Sequence, residues 1–416
     1  MRSLLPAFPL LVFVLLLLGA IPAGAAHLDL WPEAEIEIGG DFIGGYFHDD
    51  ALGGTAGRET QTFKMSRGLL KLDIQHDSGW GGLLEYNVFP DQPERDDNDR
   101  MTDFDWYNNL GTDLYYFGDF KVRNGYLRWL SPERQWQVRA GRMVNIIGFE
   151  EEEVPFWGRL DSPHAHFLTK EILNGIAIAW EIPWLRFEVA GLDGRGRPDS
   201  DYNWYLNGLC DPNTGDNSDV MVEAELVLRW RDLLAVSAGY HEGKTGSAPG
   251  SIFSGKHNDD RLVFGLRSVT PPLGRWGVRL HLLGQYSQFD CGLTSDGQQG
   301  ATTTVQSRDL DKDGWFATGG VSLLERAAVY LTYEELDRID SLVWAEIAQF
   351  DPNHWSLDSV ERSTIVHATF GLNRWVTLYG FYRTLDFDFG EISGIYRKNV
   401  AAREYDKYGL VLRVMF

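Results

Sequence analysis

The chain ends on the stretch Tyr405-Asp406-Lys407-Tyr408-Gly409-Leu410-Val411-Leu412-Arg413-Val414-Met415-Phe416. Apolar side chains recur at every second position, which places Tyr408, Leu410, Leu412, Val414 and Phe416 on one face of a β-strand. Lys407, Gly409 and Arg413 fall on the other face. A strand edge this apolar invites aggregation unless it is paired, and a closed β-barrel leaves no free edge. The end of the chain therefore predicts one strand of a closed barrel.

Segments with the same period recur along the whole chain. Sixteen of them span residues 34–47, 63–75, 80–89, 119–130, 135–143, 173–182, 184–192, 220–230, 233–242, 261–269, 276–288, 315–324, 327–336, 364–372, 375–386 and 405–416. Their lengths are near the ~9–11 residues that a tilted transmembrane strand needs. The sequence therefore predicts an all-β fold, a transmembrane antiparallel up-and-down β-barrel of about 16 strands.

The connections between these segments alternate in length. Those after the even-numbered segments are tight turns, such as Asp77-Ser78-Gly79 and Asn373-Arg374, whereas those after the odd-numbered segments are fifteen to twenty-nine residues long. A transmembrane barrel has short periplasmic turns at one rim and long external loops at the other, and a soluble β-sandwich gives no reason for such alternation. Sixteen strands also enclose an aqueous channel, whereas eight strands are filled by their own side chains.

Residues 1–26 are expected to be a cleaved signal peptide. Arg2 supplies a positive charge, Leu10 to Ala20 form an apolar run, and Ala23-Gly24-Ala25-Ala26 supplies a small-residue cleavage site. No other long apolar run follows and the mean hydropathy is −0.26, which excludes a helical membrane protein. Residues 27–416 show no linker and no change of composition, so we expect a single outer-membrane β-barrel domain.

Aromatic residues are abundant, with 15 Trp and 17 Tyr, as expected for a barrel with aromatic girdles at two membrane interfaces. The alternating last strand that ends on Phe416 also resembles the C-terminal signature of bacterial outer-membrane proteins. This resemblance implies that Phe416 is an assembly signal for the barrel-insertion machinery. It also implies that the protein lies in the cell outer membrane, in contact with outer-membrane lipids.

The formal net charge of −22 is unevenly distributed, because the predicted external loops carry the whole negative excess. Period-two alternation assigns a set of basic side chains to the lumen: Arg67, Lys71, Arg128, Arg139, Arg186, Arg229, Arg267, Arg279, Arg383, Lys407 and Arg413. It assigns seven acidic side chains to the same face: Asp73, Glu85, Glu181, Glu188, Glu223, Glu225 and Glu334. A charge that faces lipid near the bilayer midplane costs ~2–4 kcal/mol, so the lumen is the expected place for all of them.

Two interpretations of this charged wall stay open. An excess of Arg would favour anions, because low-dielectric walls focus the electric field on a passing solute. Alternatively, opposed Arg and Glu side chains pair across strands and hold the wall rigid without selecting solutes.

The third long connection, residues 144–172, contains Glu150, Glu151, Glu152 and Glu153, followed by Arg159. It comes after Gly141-Arg142-Met143, and the order of its elements resembles the third external loop of bacterial outer-membrane general porins. In that family the loop folds into the lumen and narrows it. The resemblance implies that the four glutamates and Arg159 form a channel constriction. An inward acidic run would repel anions or bind cations; the alternative is a solvated acidic run on the outer surface.

The same connection is also similar to the corresponding region of the phosphate-selective porin family. That family has a constriction lined by Arg and Lys, whereas this chain has four consecutive glutamates from Glu150 to Glu153. The departure weakens any implication of phosphate selectivity.

Two segments contain residue types that bind metals. Asp309-Leu310-Asp311-Lys312-Asp313-Gly314 places Asp309, Asp311 and Asp313 before a glycine, as in calcium loops. The distal Glu of such loops is missing, because position 320 is Gly, so an ordinary Asp-rich external turn is the alternative. His164 and His166 are a weaker metal candidate, because they lie in an irregular loop. Apart from this calcium site we expect no cofactor.

Catalysis has little support in the sequence. There is no Gly-x-Ser-x-Gly motif, no Cys-x-x-Cys-His motif for covalent haem, and no basic face for nucleic acid. We therefore expect a non-enzymatic protein that binds no nucleic acid. Cys210 and Cys291 would lie in an oxidising compartment, and whether they form a disulfide stays open.

The expected function is that of an outer-membrane porin, a water-filled channel for diffusion of small hydrophilic or ionic solutes with a weak anion preference. The resemblance to porins implies a homotrimer. One alternative is the barrel sheath of a porin–cytochrome electron-transfer conduit, whose partner would be a multihaem cytochrome. Another is a surface receptor, which predicts a barrel that does not conduct.

Overall fold

The structure is a computed structural model. It describes residues 26–27, 33–51, 58–87, 122–149, 163–167, 172–193, 220–246, 256–293, 308–324, 326–339, 358–389 and 404–416. Within these ranges, no helix is long and apolar enough to cross a membrane.

Sixteen long strands form the barrel, in chain order. They are β1 (Ala34–Ala51), β2 (Arg58–His76), β3 (Trp80–Asn87), β4 (Val122–Leu130), β5 (Trp136–Val144), β6 (Ile172–Ile182), β7 (Leu185–Asp193), β8 (Val220–Trp230), β9 (Leu234–Gly246), β10 (Lys256–Val269), β11 (Arg279–Leu293), β12 (Arg308–Leu323), β13 (Ala327–Ile339), β14 (Asp358–Gly371), β15 (Val376–Phe389) and β16 (Glu404–Met415). One short helix, α1 (His164–Phe167), lies in the connection between β5 and β6. A two-residue strand, Ala26–His27, pairs with β1 at Ile38 and Glu37.

Each barrel strand pairs antiparallel with the next one, and β16 pairs with β1, which closes the barrel. At this seam Phe416 exchanges backbone hydrogen bonds with Gly40, with N···O distances of 2.8 and 3.1 Å. The Phe416 ring also stacks on Phe42, with 5.8 Å between ring centroids. A Cβ on Gly40 would lie 2.7 Å from the Phe416 ring, so a larger residue there would displace that ring. The last residue of the chain is therefore part of the closure.

All sixteen predicted strands are confirmed, and the main differences lie at their external ends. Strand β12 begins at Arg308 instead of 315, and β14 begins at Asp358 instead of 364. The connection from β1 to β2 is shorter than predicted and comprises residues 52–57. Antiparallel pairing satisfies the backbone in water as well as in lipid, so the ladders continue past the apolar band, where period-two hydrophobicity no longer marks them.

The two rims differ as predicted, with short turns at one and long connections at the other. We call them the short-turn rim and the loop rim. The turn from β2 to β3 depends on Gly79, whose φ is 91°. A Cβ at that position would also lie 2.1 Å from the carbonyl oxygen of Leu130. Turns this tight fix the register of the strands that they join.

The outer face of the barrel is an apolar band with aromatic residues at both margins. Beside the short-turn rim, the exposed aromatic residues are Trp80, Trp136, Trp184, Trp230 and Trp276. Toward the loop rim they are mostly tyrosines, namely Tyr86, Tyr240, Tyr286, Tyr333, Tyr382 and Tyr408, with Trp315. Exposed Ile, Leu, Val and Phe side chains, such as Ile176 and Leu226, lie between the two groups. This is the outer surface of a lipid-facing barrel.

Candidate functional site

The inner face of the barrel is polar, and strand β8 shows why. Met221, Glu223 and Glu225 are buried at alternate positions, whereas Val222 and Leu226, on the opposite face of the strand, are exposed. The same alternation along the other strands turns their charged side chains toward the lumen.

The structure places most of the predicted luminal basic residues on this inner face. They are Lys71, Arg128, Arg139, Arg186, Arg229, Arg267, Arg279, Arg383, Lys407 and Arg413. Arg67 lies opposite Ile43 in the backbone register, but its side chain is outside the described residues. The inner charges that the sequence analysis missed include Asp41, Arg261 and Glu361. Glu361 lies beyond the predicted start of its strand, whereas alternation within the predicted strands could have found Asp41 and Arg261.

One part of the wall, from β2 to β7, carries ion pairs whose arginines are partly exposed, and we call it the paired wall. Arg128 contacts Asp73 at 2.5 Å, and Lys71 lies 3.9 Å from the same carboxylate. Arg139 and Arg186 both contact Glu188 at 2.5 Å. The side chains of Arg128, Arg139 and Arg186 are 13–17% exposed, so part of each remains accessible from the lumen.

Cross-strand pairing continues around the barrel toward the short-turn rim. Arg229 is paired with Glu181 on β6. Arg413 makes two bonds to Asp41 across the β16–β1 seam, at 2.8 and 3.0 Å. The prediction that Arg and Glu pair across strands is confirmed for these residues. Pairing leaves one positive charge at Glu188, which serves two cations. Beside Asp73, the carboxylate of Glu85 lies opposite Lys71 in the register.

The connection from β5 to β6 turns into the lumen as soon as β5 ends. Asn124 accepts a hydrogen bond from the Val144 amide at 3.1 Å and donates one to Glu85 at 2.6 Å. The next residues, Asn145–Phe149, are buried against the inner wall. We call residues 145–171 the inner loop.

A buried carboxylate receives the first end of the inner loop. Glu223 on β8 accepts hydrogen bonds from the Asn145 side chain at 3.1 Å and from the Ile146 amide at 2.9 Å. Its Oε1 also lies 2.8 Å from His241 Nδ1 on β9. Glu223 and His241 are both fully buried.

Two glycines on the wall allow the inner loop to lie flat. A Cβ on Gly239 would be 3.1 Å from the Ile147 Cβ, and a Cβ on Gly265 would be 2.8 Å from the Phe149 ring. Neither Cβ would fit without moving the loop or the wall. Glycine at these two positions of β9 and β10 therefore makes room for the loop.

A second buried carboxylate receives the far end of the inner loop, at helix α1. Glu334 on β13 accepts a hydrogen bond from the Ala165 amide at 3.1 Å. Its other oxygen accepts bonds from Ser363 at 2.5 Å and from Arg383. Arg383 also lies 3.5 Å from Glu361, and these ionic side chains are at most 1% exposed.

The two ends of the inner loop share one apolar contact. Phe149 and Ala165 belong to a single buried cluster with Leu283 on β11 and Phe316 on β12. The base of the loop therefore lies inside the barrel, against β8 to β13. The predicted constriction residues Glu150, Glu151, Glu152, Glu153 and Arg159 fall between the two ends and lie outside the described residues, so their role stays a prediction.

The predicted calcium loop does not have the expected backbone. Asp309, Asp311 and Asp313 lie in the extended strand β12, paired with β11, and the interpretation of this segment as a tight turn is wrong. Alternate carboxylates on a strand are about 6.6 Å apart and do not wrap around one ion. Asp313 accepts a hydrogen bond from Tyr286 at 3.1 Å. The side chains of the other two lie outside the described residues, so ion binding itself stays untested.

The remaining metal and cysteine predictions stay open. His166 packs edge-on against Phe316, and the described residues contain no group of three or more metal-binding side chains. The side chain of His164 is outside them, and Cys210 lies wholly outside them, so the disulfide is undecided.

Comparison with known proteins rests on structure alone, because no family model and no curated protein sequence matches this chain. The anion-selective porin from Comamonas acidovorans has a TM-score of 0.60 at 14% identity, covering 92% of this chain and 100% of that one. The chain has the fold of a bacterial outer-membrane porin. OmpT of Vibrio cholerae in a trimer form has a TM-score of 0.52 at 12% identity, with coverages of 92% and 100%. OmpF of Salmonella typhi has a TM-score of 0.52 at 10% identity, covering 94% of this chain and 100% of that one.

Proposed function

We propose that the protein is an outer-membrane porin, a water-filled channel for the diffusion of small hydrophilic or ionic solutes. The observation that carries the proposal is the base of the inner loop, which is bound inside a sixteen-stranded barrel whose opposite wall has accessible ion pairs. Sixteen strands leave an aqueous lumen, in which the described base of the loop occupies only one side of the wall. On this proposal the protein lies in the cell outer membrane among its lipids.

The paired wall supports a weak anion preference. Arg139 and Arg186 share Glu188, so this cluster keeps one positive charge. Around Lys71 and Arg128 no positive charge is left over, because Glu85 lies opposite Lys71 and Glu37 lies opposite Asp73. Charge at a low-dielectric wall acts strongly on an ion in the lumen. The glutamates Glu150 to Glu153 would act in the opposite direction if they line the constriction, which keeps the expected preference weak.

Single-channel recording in planar bilayers tests the proposal. We expect stepwise conductance and, in a potassium chloride gradient, a reversal potential of the sign that anion permeation produces. A purified, folded protein that gives no conductance would overturn the porin function. A reversal potential of the opposite sign would overturn the anion preference and leave the channel itself intact.

The inner loop also bears on the conduit alternative. A barrel that sheathes a multihaem cytochrome needs a lumen wide enough for a second protein. Here Asn145–Phe149 and α1 occupy space inside the wall from β8 to β13, which favours a solute channel. Co-purification of a haem-containing chain, detected by absorbance, would instead support the conduit.

The trimer form of Vibrio cholerae OmpT supports a homotrimer as the working assembly. We expect detergent-solubilised protein to have three times the protomer mass in light scattering and to open in groups of three conductance steps. Monomeric protein with single steps would exclude this assembly. The barrel-insertion machinery remains the expected partner of Phe416, tested by the membrane assembly of a Phe416→Ala variant.

A further inference from the structure

We propose that Arg275, Arg326 and Arg374 form a binding surface for the phosphate groups of anionic phospholipids at the short-turn rim. The turns that join β10 to β11, β12 to β13 and β14 to β15 each carry one of these residues, which we call the rim arginines. The surface belongs to the rim and not to the lumen. The inference therefore goes beyond the proposed porin function and holds whether or not the barrel conducts solutes.

Hydrogen bonds between the backbones of the three turns fix the positions of the rim arginines. The amide of Leu324 in the second turn donates to the carbonyl of Trp276 in the first, with an N···O distance of 3.3 Å. The amide of Gly371, where the third turn begins, donates to the carbonyl of Arg326 at 2.6 Å. The rim arginines therefore lie on adjacent turns that form one continuous edge.

This part of the rim is basic. The sequence contains no acidic residue in the ranges 261–289 and 362–385, and a single one, Glu325, in the range 314–333. These ranges include the three turns and the parts of β10 to β15 nearest to them. Glu325 lies outside the described residues, and no rim arginine forms an ion pair with a described residue. The rim arginines thus present positive charge that a phosphate can complement.

Aromatic rings contact two of the rim arginines. The guanidinium carbon of Arg275 lies 5.1 Å from the centre of the Trp276 ring, and that of Arg374 lies 4.3 Å from the centre of the Trp375 ring. A cation–π contact uses the face of the guanidinium, so the N–H groups in its plane stay accessible to a phosphate. Trp276 is 53% exposed and belongs to the aromatic margin of the apolar band. Arg275 therefore lies where lipid headgroups meet the barrel.

Exposed leucines in the same three turns provide a surface for acyl chains. Leu273, Leu324 and Leu372 lie beyond the ends of the strands, and each side chain is close to half exposed. Apolar side chains at the tips of turns are stabilised when hydrocarbon covers them. The combination of leucines and rim arginines fits a ligand that has both a phosphate and acyl chains. A phospholipid meets this requirement, whereas a soluble anion does not.

The test measures lipid binding to the purified, folded protein by native mass spectrometry. Dioleoyl phosphatidylglycerol is the anionic probe, and dioleoyl phosphatidylcholine is the comparison without net charge. The variants are Arg275→Gln, Arg326→Gln, Arg374→Gln and the triple variant. We expect the affinity for phosphatidylglycerol to fall about fivefold in each single variant and about a hundredfold in the triple variant. Phosphatidylcholine should bind weakly and equally to all of them.

A double variant, Arg134→Gln with Arg231→Gln, is the matched control. Both residues are exposed arginines of short turns, but Arg134 follows Glu133 and Arg231 precedes Asp232, so the charge of each turn is balanced. The control should bind phosphatidylglycerol with the wild-type affinity. Added salt should weaken binding to the wild-type protein, because ions screen accessible charges. Heat-dependent migration in gels confirms that each variant has a folded barrel.

Three outcomes of the lipid titration overturn the inference. They are a wild-type affinity for phosphatidylglycerol in the triple variant, an equal loss of affinity in the control, and displacement of the bound lipid by inorganic phosphate. The last would show a site for a soluble anion. Sedimentation with purified cell-wall sacculi tests another partner. A triple variant that loses binding to sacculi but keeps its affinity for phosphatidylglycerol would assign the surface to the cell wall instead.

Discussion

Two parts of the lumen contain the same residue types and hold them in opposite ways. On the paired wall, Arg128, Arg139 and Arg186 contact carboxylates but keep part of their surface open to the lumen. On the wall from β8 to β15, Arg383 and its partners are at most 1% exposed. We call the latter the buried wall. An accessible ion pair can act on a solute, whereas a buried one can act only on the structure.

The largest effect on stability is expected when the cation is removed from the buried wall. Arg383→Met would leave Glu334 and Glu361 buried without their counter-charge, and breaking a buried pair costs ~3–5 kcal/mol. We expect a loss of that size in the free energy of unfolding, measured by guanidinium titration in lipid vesicles. Arg362→Met is the control, because its pair with Glu335 is 38% exposed on both sides and should change stability by less than ~1 kcal/mol. Equal losses would contradict the distinction.

The next effect comes from the glycines under the inner loop. Gly265→Val would place its side chain against the Phe149 ring and Ser237, and overpacking of this kind costs ~1–3 kcal/mol. We expect a lower stability together with altered conductance, because the loop must move. Gly319→Ala on β12 is the control, since a Cβ there meets nothing within 4 Å. An unchanged conductance in Gly265→Val would show that the loop does not depend on this contact.

A smaller effect on stability, together with a change of selectivity, is expected from the paired wall, because Glu188 is buried while its two arginines stay 13–17% exposed. Glu188→Gln leaves the charges of Arg139 and Arg186 without a carboxylate. The reversal potential should move further toward anion permeation, and the shift should shrink at high salt because ions screen accessible charges. A shift that ignores the salt concentration would place these charges out of contact with the aqueous lumen.

The smallest effect is expected at the most exposed member of the paired wall. Lys71 is 40% exposed and lies 3.9 Å from Asp73, so it contributes less than ~1 kcal/mol to stability. Lys71→Gln should shift the reversal potential slightly toward cations and leave the unfolding titration unchanged. A measurable loss of stability would move Lys71 into the group of structural charges.

The sequence predicts the strands well, because period two along each strand and the alternation of turn lengths are local signals. The same alternation placed Arg139 and Glu188 on the inner face. Their pairing depends on residues 49 positions apart, and only the register of three strands brings them together. Period two along single strands therefore cannot distinguish a wall of unpaired arginines from a wall of ion pairs.

The inner loop depends on contacts that local sequence patterns do not predict. Its inward direction was implied only by resemblance, and the contact between Ile146 and Glu223 joins residues 77 positions apart. Nothing in the alternation separates Glu223 from Glu225, although Asn145 and Ile146 donate hydrogen bonds to Glu223. The tight turn expected over Asp309 to Asp313 is wrong because the segment continues the ladder between β11 and β12, whereas ion binding there stays a prediction.

The seam between β1 and β16 imposes an order on assembly. Asp41 and Arg413 are separated by 372 positions, and Phe416 binds Gly40 at the end of the same seam. At all other places around the barrel, each strand pairs with the strand next to it in the sequence. Those hairpins can form while the polypeptide is still incomplete. The seam cannot form until β16 and Phe416 are present. A chain that lacked β16 would keep an unpaired edge on β1. An unpaired strand edge promotes aggregation, so such a chain would aggregate before it formed a channel.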